Sequence, residues 1–340
     1  MSKKPITPGL YFFHNHEHVD GGAQMTGSNL TLTWAQLEPY KNAPDYARID
    51  AWVGVEKARG HKWVLRIDVH QNRGARSLPG WAPKLVLTMA NGARVDVPDY
   101  KHPMLISNLT EFVKLIGARY DSDPDLVLVQ IGLGLYGETH PERNDDQGQL
   151  ASQIALQLTG CQWIEWCKHA IDAYVGAFPT TELVIMNAPA FPFGCRATTT
   201  PFATSYPREV LDAYALSVGV GAQNNSLDMW DAGWYTADVI GSQGTKTVYG
   251  SVGPFQDAGR ELAMERGSWL APFPTMVDQG HAGSQTWWSY LNALSKGVRM
   301  IFPPNWAGAV WHSGVKTSYQ SGVWNYAGAY AAELRWMNQV

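Results

Sequence analysis

Apolar, strand-like segments alternate with helix-like segments along almost the whole of this 340-residue chain. Such alternation predicts a parallel sheet, because parallel neighbours must be joined by a long crossover that is usually a helix. The predicted strands cover residues 10–13, 30–34, 61–70, 127–131, 182–187, 219–228, 261–265 and 298–302. Eight strand–helix units in this length predict an α/β protein, a (β/α)8 TIM barrel that forms a single domain over residues 1–340.

The predicted helices lie between these strands. Gly60 ends the first of them, as glycine commonly does at a helix C-terminus. The helices cover residues 47–59, 109–120, 162–178, 207–216, 284–295 and 323–337. The seventh strand is ambiguous, because residues 246–252 are also strand-like, and we prefer the shorter segment 261–265.

A long segment, residues 71–103, separates the third predicted strand from the next helix. It contains an Asn91-Gly92 pair between two short strand-like runs, which predicts a hairpin turn. Connections of this length in a barrel are often functional. We therefore expect an elaborated loop after strand three that roofs a cleft.

Composition limits the classes of partner. The net charge is −4 and only 16% of residues are charged, so no basic surface predicts binding to nucleic acid. No segment approaches the ~20 apolar residues of a membrane span, and no apolar stretch follows the two lysines near the start. We expect no membrane partner and a cytoplasmic location, or a secreted one if a signal has been removed; homo-oligomerisation is left open.

The three cysteines, Cys161, Cys167 and Cys195, form neither a pair with metal-ligand spacing nor an even set of the kind found in disulfide frameworks. We expect them to be reduced residues that fill space. The sequence predicts no cofactor and no resident metal.

Glu138 is the most distinctive candidate for chemistry. It follows the apolar run 127–131 and the sequence Gly-Leu-Gly-Leu-Tyr-Gly, whose glycines allow the backbone to approach a ligand closely. Barrel enzymes carry their catalytic residues at the carboxyl ends of the strands. The alternative is that Glu138 caps the following helix, a role that Asp or Ser usually fills better. We predict that Glu138 is a catalytic carboxyl group.

Glu265, at the end of the seventh predicted strand, is the preferred second carboxylate, with Glu261 and Asp228 as rivals. Two carboxyl groups that face one bond are what glycoside hydrolysis requires. An apolar strand end lined by Tyr136 would raise the pKa of Glu138 by desolvation, whereas Arg66 or Arg266 would keep Glu265 ionised.

Aromatic and polar side chains near strand ends complete a predicted sugar site. The chain has 15 tryptophans, and an aromatic ring beside polar groups matches the apolar face and hydroxyl rim of a pyranose. The predicted substrate-binding residues are His16, Trp34, Arg66, His70, Tyr136, His140, Asn187, Asn224, Asp228, Trp269 and Trp306.

Three motifs resemble those of clan A glycoside hydrolases of the beta-galactosidase type and of related uncharacterised barrel proteins. They are Thr33-Trp34-Ala-Gln-Leu-Glu38-Pro39, then Trp63-Val-Leu-Arg66-Ile, and Gly134-Leu-Tyr-Gly-Glu138. The resemblance implies a general acid/base on strand four, here Glu138, and a nucleophile on strand seven, carried over to Glu265. It therefore implies a hydrolase of carbohydrate metabolism that cleaves β-linked glycans or oligosaccharides, with a retaining mechanism.

One position departs from that pattern. Clan A enzymes usually have Asn directly before the acid, and this chain has Gly137. Because beta-amylase barrels also show a Gly-Glu acid, an inverting mechanism stays open.

Two further functions remain as alternatives. His14-Asn-His16 after the first strand resembles the start of an amidohydrolase metal site, but Asn187, Asn224 and Asn305 stand where such a site needs other ligands. The other alternative is a barrel that binds carbohydrate without catalysis. Glu38, before Pro39, is interpreted as a structural residue at a helix start rather than as an acid.

Overall fold

The computed structural model of the protein describes residues 2–12, 25–71, 77–88, 92, 94–142, 153–154, 156–187, 206–224, 237–241, 244–248, 253–265, 293 and 297–302. The helix predicted over 323–337 lies outside these residues. So does the helix predicted over 284–295, except for residue 293, which is helical.

Eight parallel strands close into a barrel, which confirms the predicted fold. In chain order they are β1 (Gly9–Phe12), β2 (Gly27–Thr33), β3 (Lys62–Asp68), β6 (Leu126–Ile131), β7 (Glu182–Asn187), β8 (Gly221–Asn224), β11 (Leu262–Glu265) and β12 (Met300–Phe302). The barrel closes where β12 pairs with β1, in the register Gly9 to Met300. Each barrel strand pairs with the barrel strands that come directly before and after it in the chain, and the last pairs with the first. This order is expected for a (β/α)8 fold.

In the part of the chain that the structure describes, two antiparallel hairpins accompany the barrel. One consists of β4 (Lys84–Thr88) and β5 (Arg94–Pro98), and the other of β9 (Ala237–Gly241) and β10 (Gly244–Val248). The second hairpin contains part of segment 246–252, so that segment is not the seventh barrel strand and the preferred choice of 261–265 is confirmed.

The first hairpin is the one predicted within residues 71–103. Its turn includes Gly92 at φ +80°, a conformation that favours glycine. Leu87 and Val97 are buried in the main core, which fixes the hairpin to the barrel wall. That this loop roofs a cleft stays a prediction.

Six helices are described: α1 (Trp34–Leu37), α2 (Ala47–Ala58), α3 (Pro103–Tyr120), α4 (Gly160–Ala177), α5 (Tyr206–Ser217) and α6 (Gly253–Asp257). Helix α3 begins six residues before its predicted start, because Pro103 occupies the first turn and His102 caps it by accepting from the Met104 N–H at 3.2 Å. Helix α4 begins with a capping box between Thr159 and Gln162.

The apolar core has two parts, which follow from the alternation of side chains along each strand. The main part contains outward residues such as Leu65 and Val129 together with helix residues such as Phe112, so it lies between the strands and the helices. The smaller part contains Val64 and other strand residues and lies inside the barrel.

The barrel interior also contains a polar chain that the sequence did not predict. Asn29 of β2 donates to Gln130 of β6 at 2.9 Å, and Gln130 donates to Gln223 of β8 at 2.5 Å. All three are fully buried. Because these residues come from alternate strands, they form part of one layer across the barrel, and their mutual hydrogen bonds offset the cost of burying amides.

Cys161 at the start of α4 is disulfide-bonded, so the expectation that all cysteines are reduced is wrong for this residue. Cys167 is a buried free thiol whose pKa is raised by burial. The remaining cysteine, Cys195, lies outside the described residues. Among the helices that the structure describes, none is long and apolar enough to cross a membrane.

Gly117 of α3 tests the packing of α3 on α4, and Gly54 of α2 serves as its control. A Cβ on Gly117 would collide with the carbonyl group of Ala177, whereas a Cβ on Gly54 of α2 would meet nothing within 4 Å. We expect Gly54→Ala to raise the free energy of unfolding by about 0.5–1 kcal/mol, because alanine favours helix. Gly117→Ala should lower it by roughly 1–3 kcal/mol, because the backbone of α4 must shift.

Urea unfolding of the two variants beside the wild-type protein provides the measurement. Stabilisation of similar size in both would contradict the close approach of α3 and α4.

Candidate active site at the carboxyl end of the barrel

Glu138 lies at the carboxyl end of the barrel, as predicted. It follows β6 and forms an isolated bridge with Met186 of β7, where the Thr139 N–H donates to the Met186 carbonyl at 3.0 Å. The next residue of β7, Asn187, is level with Asn224 of β8. The polar side chains that follow these strands are therefore neighbours at the barrel mouth.

The segment from residue 132 to residue 142, here called the acid loop, is held by its own backbone. Gly137 donates to Gly134 at 3.0 Å, Glu138 donates to Leu135 at 3.0 Å, and Leu135 donates to His140 at 2.9 Å. From α4, the indole of Trp166 donates to the Leu133 carbonyl at 3.0 Å. These bonds fix the backbone on both sides of Glu138.

A buried ion pair lies beneath the acid loop. Arg66 Nε donates to Asp68 Oδ1 at 2.7 Å, and the same guanidinium also donates to the Tyr136 carbonyl. Gln71 Nε2 donates to the other carboxylate oxygen of Asp68 at 2.7 Å. Since Arg66 and Asp68 are two apart on β3, they share one face of the strand, and together they attach the acid loop to β3.

The ion pair explains the glycine that precedes Glu138. Gly137 has φ +77°, and a Cβ there would collide with Met186 Cε and lie 3.0 Å from Asp68 Oδ1. Asparagine at this position would need both a strained backbone and a displaced ion pair. The departure from the clan A pattern therefore has a local steric cause.

His70 and Glu142 form a second buried pair. The distance from His70 Nε2 to Glu142 Oε2 is 2.8 Å, and both side chains are fully buried. The Tyr136 N–H donates to the His70 carbonyl at 2.9 Å. His70 therefore links the end of β3 to both halves of the acid loop, and the prediction that it contacts substrate is not supported by its burial.

Glu138 itself has a histidine partner. The distance from His140 Nε2 to Glu138 Oε2 is 2.9 Å, and the side chains are 7% and 21% exposed respectively. The strand end was predicted to raise the pKa of Glu138 through an apolar surrounding, but the structure also places an imidazole against its carboxyl group. The two side chains are therefore within ion-pair distance of each other.

Trp34 is not available to a ligand, which corrects its assignment as a substrate-binding residue. It is fully buried, its ring stacks on Phe112 with centroids 5.7 Å apart, and Trp81 meets it edge-on at 5.6 Å. Its indole N–H donates to Glu38 Oε2 at 2.8 Å. Such a position in the core leaves no face for a sugar.

Glu38 is structural, as the sequence indicated, but it ends α1 rather than starting a helix. Besides the Trp34 indole, its carboxylate accepts from the Asn42 N–H at 2.8 Å. Burial raises the pKa of Glu38, and these two hydrogen bonds act against that rise. It belongs to the end of α1 rather than to the barrel mouth.

The other predicted site residues are buried, half-buried or outside the described residues. Arg66 and Asn187 are buried at the strand ends, whereas Tyr136 and Asn224 are half-buried. Outside the described residues lie His14, His16, Asp228, Trp269 and Trp306. Within the described residues, no group of three or more His, Cys, Asp or Glu side chains could hold a metal ion.

The position of each candidate along the barrel axis narrows the choice of the second carboxylate. Glu265 is the last residue of β11 and is level with Phe302 of β12, so its backbone lies at the same end of the barrel as Glu138. Glu261 precedes β11 at the opposite end, where it forms an ion pair with Arg299, with 2.9 Å between Oε2 and Nε. Glu261 is therefore excluded as the partner of Glu138.

Glu142 and the polar chain inside the barrel were not predicted from the sequence. Asp68 carried a usable signal, because its spacing of two from Arg66 places both on one face of a strand. Glu142 carried none, because its partner His70 is 72 residues earlier in the chain.

Comparison with known proteins supports the fold. The catalytic domain of beta-amylase from Paenibacillus polymyxa matches with a TM-score of 0.62 and 11% identity, over 97% of this chain and 100% of that one. Xylanase 10B from Thermotoga maritima matches with a TM-score of 0.53 and 10% identity, over 96% and 97%. A GH5-4 broad specificity endoglucanase from an uncultured bacterium also has a TM-score of 0.53, with 11% identity, over 92% and 82%.

At such low identities the similarity shows the barrel fold alone. No family model matches the sequence, and no curated protein matches it significantly.

Gly137 and Gly60 provide a matched test of the acid loop. Both have positive φ, +77° and +73°, but a Cβ on Gly60 would meet nothing within 4 Å. We expect Gly60→Ala to cost about 1–2 kcal/mol of stability through backbone strain alone. Gly137→Ala should cost roughly 1–3 kcal/mol more, because the new methyl group overpacks the site against Met186 and Asp68.

The difference between the two variants in denaturant unfolding is the decisive quantity. Equal losses would mean that the acid loop is not packed against the ion pair as described.

Proposed function

We propose that this protein is a glycoside hydrolase that cleaves β-linked glycans or oligosaccharides, with Glu138 as general acid/base and Glu265 as nucleophile. One observation carries the proposal: Glu138 is held at the carboxyl end of a closed parallel barrel by a loop that is bonded to β3, β7 and α4. Catalytic groups of barrel enzymes occupy this end, and the 21% exposure of the side chain leaves it accessible from the mouth.

The comparisons add weight by analogy. Proteins named as a beta-amylase, a xylanase and an endoglucanase share the fold over most of their length. A shared fold does not by itself transmit an activity. The carboxyl group at the strand end is the feature of this chain that makes the analogy specific.

The reaction would use both carboxyl groups. Glu138 would protonate the glycosidic oxygen as the bond to the anomeric carbon breaks, and Glu265 would attack that carbon. Water would then release the sugar after giving a proton to Glu138. In the inverting alternative, Glu265 would instead activate a water molecule across a gap of ~6.5–9.5 Å between the carboxyl groups, against ~5 Å for retention.

Two buried polar pairs would hold the Glu138 carboxyl group in position for proton transfer. The Arg66–Asp68 pair and the His70–Glu142 pair bind the acid loop on either side of Glu138. Because these groups are already ordered, the carboxyl group needs little rearrangement when substrate binds.

We also propose secretion or another oxidising compartment for the mature protein. The support is the disulfide bond of Cys161, since such bonds are rare in reducing compartments.

Glu138→Gln tests the assignment. The amide keeps the shape of the side chain but cannot deliver a proton, so we expect kcat to fall roughly 10²–10⁴-fold on oligosaccharides. Initial rates over a panel of β-linked oligosaccharides and aryl β-glycosides give the measurement, and the anomer first formed, followed by NMR, distinguishes retention from inversion.

The matched control is Glu165→Gln on the exposed side of α4, where Glu165 bonds to Lys168 at 2.9 Å. This variant should keep wild-type rates. Undiminished turnover by Glu138→Gln would exclude Glu138 as the acid.

A further inference from the structure

We propose that the outer wall of the barrel carries a second ligand site, a cavity between α3 and α4 that binds a ring-sized carboxylate and thereby stabilises the acid loop. The cavity is separate from the candidate active site, because none of the described residues that line it belongs to the acid loop. The inference goes beyond the proposed function and does not require Glu138 to be catalytic.

The cavity is bordered by the first turns of both helices, which contribute Pro103 and Gln162. Its volume is about 430 Å³, which is within the range of small-molecule sites. The apolar lining comes from Tyr100, Ile106 and Trp166. Tyr100 and Trp166 are buried, so they form the floor, whereas Ile106 is half-buried. An apolar floor of this kind suits a ligand with a ring.

The rim of the cavity offers hydrogen-bond donors and one positive charge. Lys101 contributes an exposed ammonium group. His102 Nδ1 accepts from the Met104 N–H at 3.2 Å, so the hydrogen of the neutral ring is assigned to Nε2, which is a donor. The carboxylate beside the cavity, Glu165, is bonded to Lys168 at 2.9 Å and so takes no part in binding an anion.

A carboxylate on a ring-sized molecule matches both features of the cavity. Its charge would pair with Lys101 and one of its oxygens would accept from His102, while the ring lies against the floor. Asp99 is close in the chain, but it accepts from the Lys101 backbone N–H at 3.3 Å and is not part of the lining. An inorganic anion would leave the apolar floor uncovered, and a neutral ring would leave the ammonium group unpaired.

The floor of the cavity also holds the acid loop. The Tyr100 hydroxyl donates to the Pro141 carbonyl at 3.4 Å, and the Trp166 indole donates to the Leu133 carbonyl at 3.0 Å. These two carbonyl groups lie on either side of Glu138 in the chain. A ligand that packs on the two rings therefore favours the conformation in which both hydrogen bonds are made.

A third aromatic residue completes the wall between the cavity and the acid loop. The ring of Tyr100 meets those of Trp163 and Trp166 edge-on, with centroids 4.9 Å and 5.2 Å apart. The Trp163 indole donates to the Thr139 carbonyl at 3.2 Å. The three rings are packed together and bond to three carbonyl groups of the acid loop, so the cavity and the loop are linked by direct contacts.

Calorimetric titration of the whole protein tests the site. The probes are glucuronate and benzoate, which each join one carboxylate to a six-membered ring, and glucose and benzyl alcohol are their uncharged counterparts. We expect the carboxylates to bind with a Kd of about 0.1–3 mM and the uncharged counterparts to bind at least about tenfold more weakly. The tighter of the two carboxylates shows whether the cavity favours a sugar acid or an aromatic acid.

Lys101→Met keeps the length of the side chain but removes its charge, so the affinity for the carboxylates should fall at least about tenfold. The matched control is Lys114→Met, which removes an exposed ammonium group of α3 that does not line the cavity. This variant should bind as the wild-type protein does. An absence of binding by the wild-type protein, or equal affinities in the two variants, would overturn the site.

Hydrogen exchange tests the link to the acid loop. The amides of Leu135 and Glu138 donate within the loop, to the carbonyl groups of His140 and Leu135 respectively. With the tighter carboxylate at about ten times its Kd, their exchange should slow at least about threefold. Unchanged exchange would overturn the link. Equal slowing in Lys101→Met would place the ligand at the barrel mouth and overturn the site.

Neither measurement uses turnover, so the outcome is distinguishable from that of the proposed function. Full activity of Glu138→Gln would refute the catalytic assignment and leave the cavity untouched. Binding that ignores Lys101 would refute the cavity site and leave the catalytic assignment untouched.

Discussion

The buried ion pair between Arg66 and Asp68 is the interaction on which the candidate site depends. Burying two charges is costly unless their remaining hydrogen-bonding capacity is used. Here Arg66 also binds the Tyr136 carbonyl and Asp68 also accepts from Gln71, so the pair draws the acid loop down onto β3. Loss of one partner would leave a buried charge beneath Glu138. The pair thus connects the barrel wall to the acid loop at its mouth.

This connection also determines the local sequence. With the ion pair and Met186 in place, position 137 has no room for a side chain, and its positive φ suits glycine. Met186 and the carboxylate of Asp68 occupy the space that a side chain at position 137 would need. If Glu138 acts on a sugar as proposed, a further group that contacts the sugar there must come from another part of the barrel mouth.

Much of the fold could be predicted because each barrel strand has a recognisable pattern in its own local sequence. The run 127–131 is apolar except for Gln130, as expected of a strand that is covered on both faces. The position of Glu138 followed from the end of such a strand. Contacts between distant segments could not be predicted in the same way: nothing near His70 signals Glu142, and nothing near Trp34 signals its stacking on Phe112. Trp34 was therefore misassigned, since an aromatic residue at a strand end fits core and cleft equally well.

The acid loop contains two histidine–carboxylate pairs whose different burial implies different work. His70 and Glu142 are both fully buried, so neither can exchange a proton with a substrate, and their pairing stabilises the loop. In the pair of His140 and Glu138, the carboxylate reaches the mouth while the imidazole stays covered. The same chemical couple thus joins two buried segments at one place and leaves one carboxyl group exposed at the other. That exposure is what the acid role proposed for Glu138 requires.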